Sequence, residues 1–164
     1  MKKDLNGYVS TYKELLTAGD VQIAYAQMIK YVQKLRTRFS KELGEDYAVG
    51  NVFQGYMDYT YFYLTNSLLQ ARKLKLGIVF RHGTADFDVW LLGQTKAVQV
   101  KYWNMLKNTN WINGTKIPAY SIFEAALVRT PDFNDLDTLT DTLCANFRTL
   151  APEILESIRQ LEGS

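Results

Sequence analysis

Residues 73–92, KLKLGIVFRHGTADFDVWLL, decide how this chain folds. In the first half Leu74, Leu76, Ile78 and Phe80 alternate with Lys73, Lys75, Gly77, Val79 and Arg81, the period of two that places successive side chains on opposite faces of a strand. In the second half Phe87, Val89 and Leu91 alternate with Asp86, Asp88 and Trp90. His82-Gly83-Thr84 lies between the two runs and supplies turn residues, so the segment predicts a β-hairpin.

Upstream, residues 56–65 (YMDYTYFYLT) are rich in aromatic and β-branched side chains and favour a strand buried on both faces. A helical period through Phe53, Tyr56, Tyr59 and Tyr63 leaves helix open there. Before it come two helices. Residues 4–17 place Leu5, Tyr8, Tyr12, Leu15 and Leu16 at helical spacing, and Ala18-Gly19-Asp20 reads as a stop followed by an Asp20 N-cap. From there Val21, Tyr25, Met28, Val32, Leu35, Phe39 and Leu43 form one apolar face about six turns long.

Downstream, Gly93-Gln94-Thr95 opens a helix carrying Val98, Tyr102, Met105 and Leu106 on one face. A loop over 108–118 follows, then a strand over 120–128. Residues 131–163 read as helix, with Leu136, Leu139, Leu143, Phe147, Leu150, Ile154, Ile158 and Leu161 in one stripe and a break expected at Pro152. The fold class is α+β in the order ααβββαβα, with a sheet of about four mainly antiparallel strands covered by helices, all in one domain over residues 1–164.

Composition narrows the function classes. With 47% hydrophobic and 22% charged residues the chain has the make-up of a folded domain rather than a disordered one. Lys plus Arg at 19 against Asp plus Glu at 17 is too near balance for an obligate nucleic-acid binder or a polybasic membrane protein. The charge is uneven, however: residues 1–130 carry 17 basic and 10 acidic side chains, and residues 131–164 carry 2 and 7, so the acidic helix is expected to pack on a basic body. One cysteine and one histidine exclude an internal disulfide and the usual zinc sets, so no metal and no cofactor are expected. No apolar run suits a membrane span or a leader, which points to a cytoplasmic protein without a membrane partner. Nucleotide-binding glycine loops and the Gly-X-Ser-X-Gly elbow are missing.

The core order αβββαβ resembles that of the PD-(D/E)XK nucleases. Gln99 and Tyr102 in AVQVKYW match the Gln-X-X-Tyr pair of some branches, and Asp86 and Asp88 lie on the strand expected to carry the acidic triplet. The triplet itself is Asp-Val-Trp, without lysine, and the strand before it has no acidic residue. The resemblance implies a scaffold whose cleavage chemistry has been lost or rearranged. If it is retained, Asp86 and Asp88 with Glu124 would hold Mg²⁺ for phosphodiester cleavage while Gln99 and Tyr102 order the strand. A second resemblance, carried by YTYFYL, KLGIVFRH and FDVWLLGQTKAVQVKYW, is to small bacterial single-domain proteins classed as a domain of unknown function; it implies a bacterial cytoplasmic setting and no catalytic residue.

The residues themselves favour binding over catalysis. A pair of carboxylates on the open face of an antiparallel strand ordinarily faces water. His82, in a turn beside glycine, reads as a surface residue. Cys144, between apolar positions of the last helix, reads as a small buried hydrophobe. The informative excess is aromatic: 11 tyrosines exceed the needs of a core, and buried hydroxyls require partners, so several rings should line a groove or interface. Tyr59, Tyr61, Tyr63, Trp90, Tyr102 and Trp103 are the candidate binding residues, on an aromatic sheet face or a homodimer interface. Lys73, Lys75, Arg81, Lys96 and Lys101 fall in the same region, which leaves stacking of single-stranded nucleic acid open as the weaker option.

Overall fold

The computed structural model describes residues 1–162. Among these, the order is α1 (Leu5–Ala18), α2 (Asp20–Leu43), β1 (Ala48–Val49), β2 (Tyr59–Thr65), α3 (Ser67–Ala71), β3 (Leu74–Arg81), β4 (Asp86–Gly93), α4 (Lys96–Leu106), β5 (Phe123–Val128) and α5 (Leu136–Glu162). The strands form one antiparallel sheet in the order β1-β2-β3-β4-β5. The α+β class and the antiparallel sheet agree with the sequence pattern. Two small elements escaped it: the two-residue edge strand β1 and the single turn α3, which is capped by the Asn66 side chain accepting from the Leu69 N–H.

Side-chain alternation divides the sheet into two unlike faces. Phe62, Leu64, Leu76, Ile78, Phe80, Phe87, Val89 and Leu91 point into the main core, where they meet Leu35 and Phe39 of α2, Tyr102 and Leu106 of α4, and Leu143, Phe147 and Ile154 of α5. Phe147 anchors this layer, its ring edge-on to both Phe39 (5.3 Å) and Tyr47 (5.6 Å). Cys144 is buried in the same layer, and burial pushes its thiol up to about 11, so it packs as an apolar group. The acidic helix does meet basic groups of the body, through Arg38–Asp141 (2.7 Å) and Arg72–Glu162 (2.6 Å).

Several local expectations need correction. Residues 56–65 form a strand only from Tyr59, and its tyrosines alternate half-buried with fully buried Thr60, Phe62 and Leu64, so one face is open rather than both closed. Gly19 (φ 88°) both ends α1 and caps α2, and Asp20 is the first helical residue rather than the cap. The final helix does not break at Pro152. Pro152 lies on the exposed side of α5, where the carbonyl one turn earlier can turn to water, while Ala151, Ile154 and Leu155 keep the buried stripe in register. The expected end of this helix at Gly163 lies outside the described residues. No helix among the described residues is long and apolar enough to cross a membrane.

Because Phe147 joins α2, α5 and the segment before β1, Phe147→Ala should lower the free energy of unfolding by about 3–5 kcal/mol. Urea titration checks this, and a loss below about 1 kcal/mol would mean that α5 does not hold the core together.

Candidate functional site

Among the described residues no helix covers the second face of the sheet, yet its centre is buried. Val79, Trp90 and Leu92 are each at most 6% exposed and form a small apolar cluster against Tyr59, Tyr61 and Tyr63. Register explains how they meet. Tyr63 pairs with Gly77, Gly77 with Trp90, and Trp90 with Glu124, so one row across four strands runs tyrosine, glycine, tryptophan, glutamate. Gly77 leaves the floor of that row low, since a Cβ there would lie 3.1 Å from Leu92 Cδ1 and 3.6 Å from the Tyr63 ring.

These groups line a cleft of about 400 Å³ with Lys75, Asp58, Tyr56 and Tyr120 at its margins. Tyr59 meets Trp90 edge-on at 4.9 Å, and Tyr61 and Tyr63 are 5.3 Å apart. Burial beside Tyr61 pushes the Tyr63 hydroxyl up to about 12. The Lys75 ammonium sits 3.8 Å above the Tyr63 ring centre, and burial holds it below the usual lysine range. Among the described residues it has no ion-pair partner, whereas Asp58 is engaged by the backbone N–H groups of Tyr56 and Tyr59. Tyr56, at 95% exposed, and Tyr120, at 68%, leave apolar ring surface at the mouth.

Asp86 and Asp88 do not face water as the open-face rule predicts: they are 4% and 0% exposed. Arg81 closes on Asp86 with a two-pronged contact, Nε to Oδ1 and Nη2 to Oδ2, each 2.6 Å. Thr84 donates a third bond at 2.8 Å, and the Arg81 guanidinium holds the Asp86 carboxyl below the usual carboxylate range. Arg129, just after β5, bonds Asp88 and lies 3.5 Å from Asp86. The Trp90 indole N–H donates to Asp88 Oδ2 at 3.1 Å. Two carboxylates and two guanidiniums thus form a neutral cluster, and its last bond fixes the ring that floors the cleft. In the Asp-Val-Trp triplet, the residue that stands where a nuclease has its lysine serves instead as the carboxylate's hydrogen-bond donor.

The other candidates stand outside the lining of the cleft. Glu124, next to Trp90 in the cross-strand row, stands beside the Asp88, Arg81 and Arg129 charges; it accepts from the Ser121 hydroxyl at 3.0 Å, and burial of its carboxyl raises it above the usual range. Gln99 donates to the Pro118 and Ser121 carbonyls from α4, fastening the loop before β5. Tyr102 is in the main core with its hydroxyl on Glu162 Oε1 at 2.7 Å, and Trp103 packs beside it. His82 is half-buried rather than on the surface: its Nε2 lies 2.7 Å from the Thr60 hydroxyl, its ring packs on Phe80 and Tyr25, and burial lowers its pKa. Among the described residues no group of three or more His, Cys, Asp or Glu side chains is placed to hold a metal ion.

A family model described as a domain of unknown function, DUF7000, matches residues 5–158. The chain belongs to that family. Neither a curated protein nor a solved structure matches it. The family match spans both the helix-covered core and the strands that build the cleft, and it brings no support for the nuclease resemblance.

Arg129 is the residue that sequence reasoning left without a role, and Lys75 and Arg81 entered it only as basic groups that could meet a nucleic-acid strand. A turn over 82–84 alone would set Arg81 opposite Ala85; Ala85, at φ 53°, joins the turn instead, and Arg81 pairs with Asp86. Arg129 and the isolation of Lys75 depend on the sheet order, which no local pattern records.

Arg81→Met should cost about 3–5 kcal/mol, since it strips a partner from buried carboxylates. Asp86 has a lowered pKa in the folded chain, so its stabilisation is present above the unfolded carboxylate pKa and lost as pH falls through the folded one. Unfolding free energies measured from pH 6 down to about 2 should therefore fall steeply in the natural chain and less steeply in Arg81→Met. Parallel curves would show that the pair does not couple folding to protonation.

Proposed function

We propose that this chain works by binding rather than by catalysis, and that its open sheet face takes a small ligand with a flat apolar body and an anionic group. The observation that carries this is the convergence of Tyr59, Tyr61, Tyr63 and Trp90 with Lys75 on one cleft. Its volume of about 400 Å³ is in the range of small-molecule sites, and its lining is apolar with few polar groups, as such sites require. Rings already fixed by neighbours lose little freedom when a ligand stacks on them. Lys75 supplies a partly desolvated positive charge, held over an aromatic face that an anion could replace as its partner.

The carboxylates argue in the same direction. A hydrolytic site needs carboxylates open to a metal or to water, and Asp86 and Asp88 are enclosed by Arg81, Arg129, Thr84 and Trp90. Gln99 is committed to two backbone carbonyls. A bacterial cytoplasmic setting remains part of the same proposal, resting on composition and on the family resemblance.

Saturation-transfer NMR against a panel of aromatic carboxylates, nucleoside monophosphates and their uncharged parent rings tests the proposal. Anionic members should bind, Lys75→Met should weaken them about tenfold, the loss of one charge-assisted hydrogen bond, and the uncharged rings should be unaffected. Binding that ignores Lys75→Met, or no binding at all, would overturn it. Mg²⁺-dependent cleavage of labelled DNA or RNA, lost in Asp88→Asn, would put a phosphodiesterase in its place.

A further inference from the structure

The first helix is folded but not covered. α1 has no buried residue, and Leu5, Tyr8, Tyr12 and Leu15 are 76%, 54%, 62% and 52% exposed. Val9 beside them and Ile23 on the first turns of α2 are 52% and 63% exposed. The helix is held at its ends instead, by Asp4 accepting from the Gly7 N–H and by the Gly19 N–H reaching the Leu16 carbonyl. A 14-residue helix with caps alone is marginal in water, and a contiguous apolar stripe of this kind marks an interaction surface.

The spacing of the stripe says what covers it. Leu5, Tyr8, Tyr12 and Leu15 follow one another at intervals of three, four and three, so the pattern reads the same in both directions. A two-fold axis crossing α1 near residue 10 would set Leu5 against Leu15 of a second copy and Tyr8 against Tyr12, the self-complementarity that an isologous interface demands. Charge agrees with this polarity. Lys2 and Lys3 outnumber Asp4 ahead of α1, and Asp20 follows it while Lys13 and Glu14 offset each other, so antiparallel pairing brings a basic end toward an acidic one while parallel pairing would crowd the lysines. An anionic lipid surface fits less well, because within α1 Lys13 is balanced by Glu14 and the polar face has no basic excess. In size, Tyr8, Tyr12 and their four aliphatic neighbours are each half or more exposed, which suits a modest helix-to-helix contact of the weak, concentration-dependent class.

We propose that the chain forms a homodimer through antiparallel pairing of α1 with α1 of a second copy, which leaves the aromatic cleft free and is independent of the ligand it takes. Sedimentation velocity of the full chain over a concentration series should give twice the 18.9 kDa chain mass, and Leu5→Lys with Leu15→Lys should return it to monomer. The two substitutions lie on a helix without buried residues, so near-unchanged circular dichroism should accompany them. Cysteine cross-linking fixes the polarity. An oxidised mixture of Tyr8→Cys and Tyr12→Cys chains should link to each other several-fold faster than either links to itself, with buried Cys144 as an inert thiol in all samples. A monomer at every concentration, including one that instead floats with anionic phospholipid vesicles, would overturn the proposal. So would a dimer that survives the double lysine variant, or Tyr8→Cys linking best to itself.

Discussion

The antiparallel pairing of β3 with β4, which sets Gly77 opposite Trp90, Val79 opposite Asp88 and Arg81 opposite Asp86, is the constraint on which both faces of this protein depend. These two strands are central in the sheet and flanked on both sides, so their side chains are buried above and below. A shift of one residue in that register would exchange the faces and turn Asp86 and Asp88 into the helix-covered core. The helices would then rest on charge, and the cleft would lose its tryptophan.

Among the described residues helices close one face, and the other is closed by its own side chains. It does this in two ways along its length. Toward Lys75 and Tyr63 the rings lean together over glycine and leave a partly open cleft. Toward the β3–β4 turn, guanidiniums close over carboxylates and leave nothing open. The Trp90 to Asp88 bond joins the two regions, tying the orientation of a cleft ring to an ion cluster that is fully satisfied. A satisfied polar cluster in a low-dielectric setting is rigid, because moving any member leaves a buried charge without a partner. That rigidity suits a preformed binding surface better than a centre that must exchange protons.

Much of the architecture follows from local pattern. The alternation in residues 73–92 gives the hairpin, the apolar steps from Val32 to Leu43 give the buried half of α2, and Thr95 caps α4 where a start signal stands. Failures occurred where a local rule met a tertiary contact that outweighed it. Pro152 does not break its helix because the buried stripe of α5 continues on either side of it. His82 is half-buried rather than open in its turn because Thr60, Phe80 and Tyr25 converge on its ring.

The candidate residues sort in the same way. Composition alone pointed to tyrosine and tryptophan as more than core material, since rings that carry hydroxyls or N–H groups are costly to bury without partners. What composition could not do was choose among them. Tyr59, Tyr61, Tyr63 and Trp90 share a face because strand alternation and register put them there, whereas Tyr102 and Trp103 stand on a helix that packs against the opposite face. The sequence by itself determined the central hairpin, the long helices and which residue types were in excess, because these depend on periodicities of a few residues. Which face each aromatic ring joined, and that Arg129 completes with Arg81 the enclosure of Asp86 and Asp88, was decided only in the folded sheet, where burial and ion pairing act between residues as far apart as Asp88 and Arg129, 41 positions in sequence.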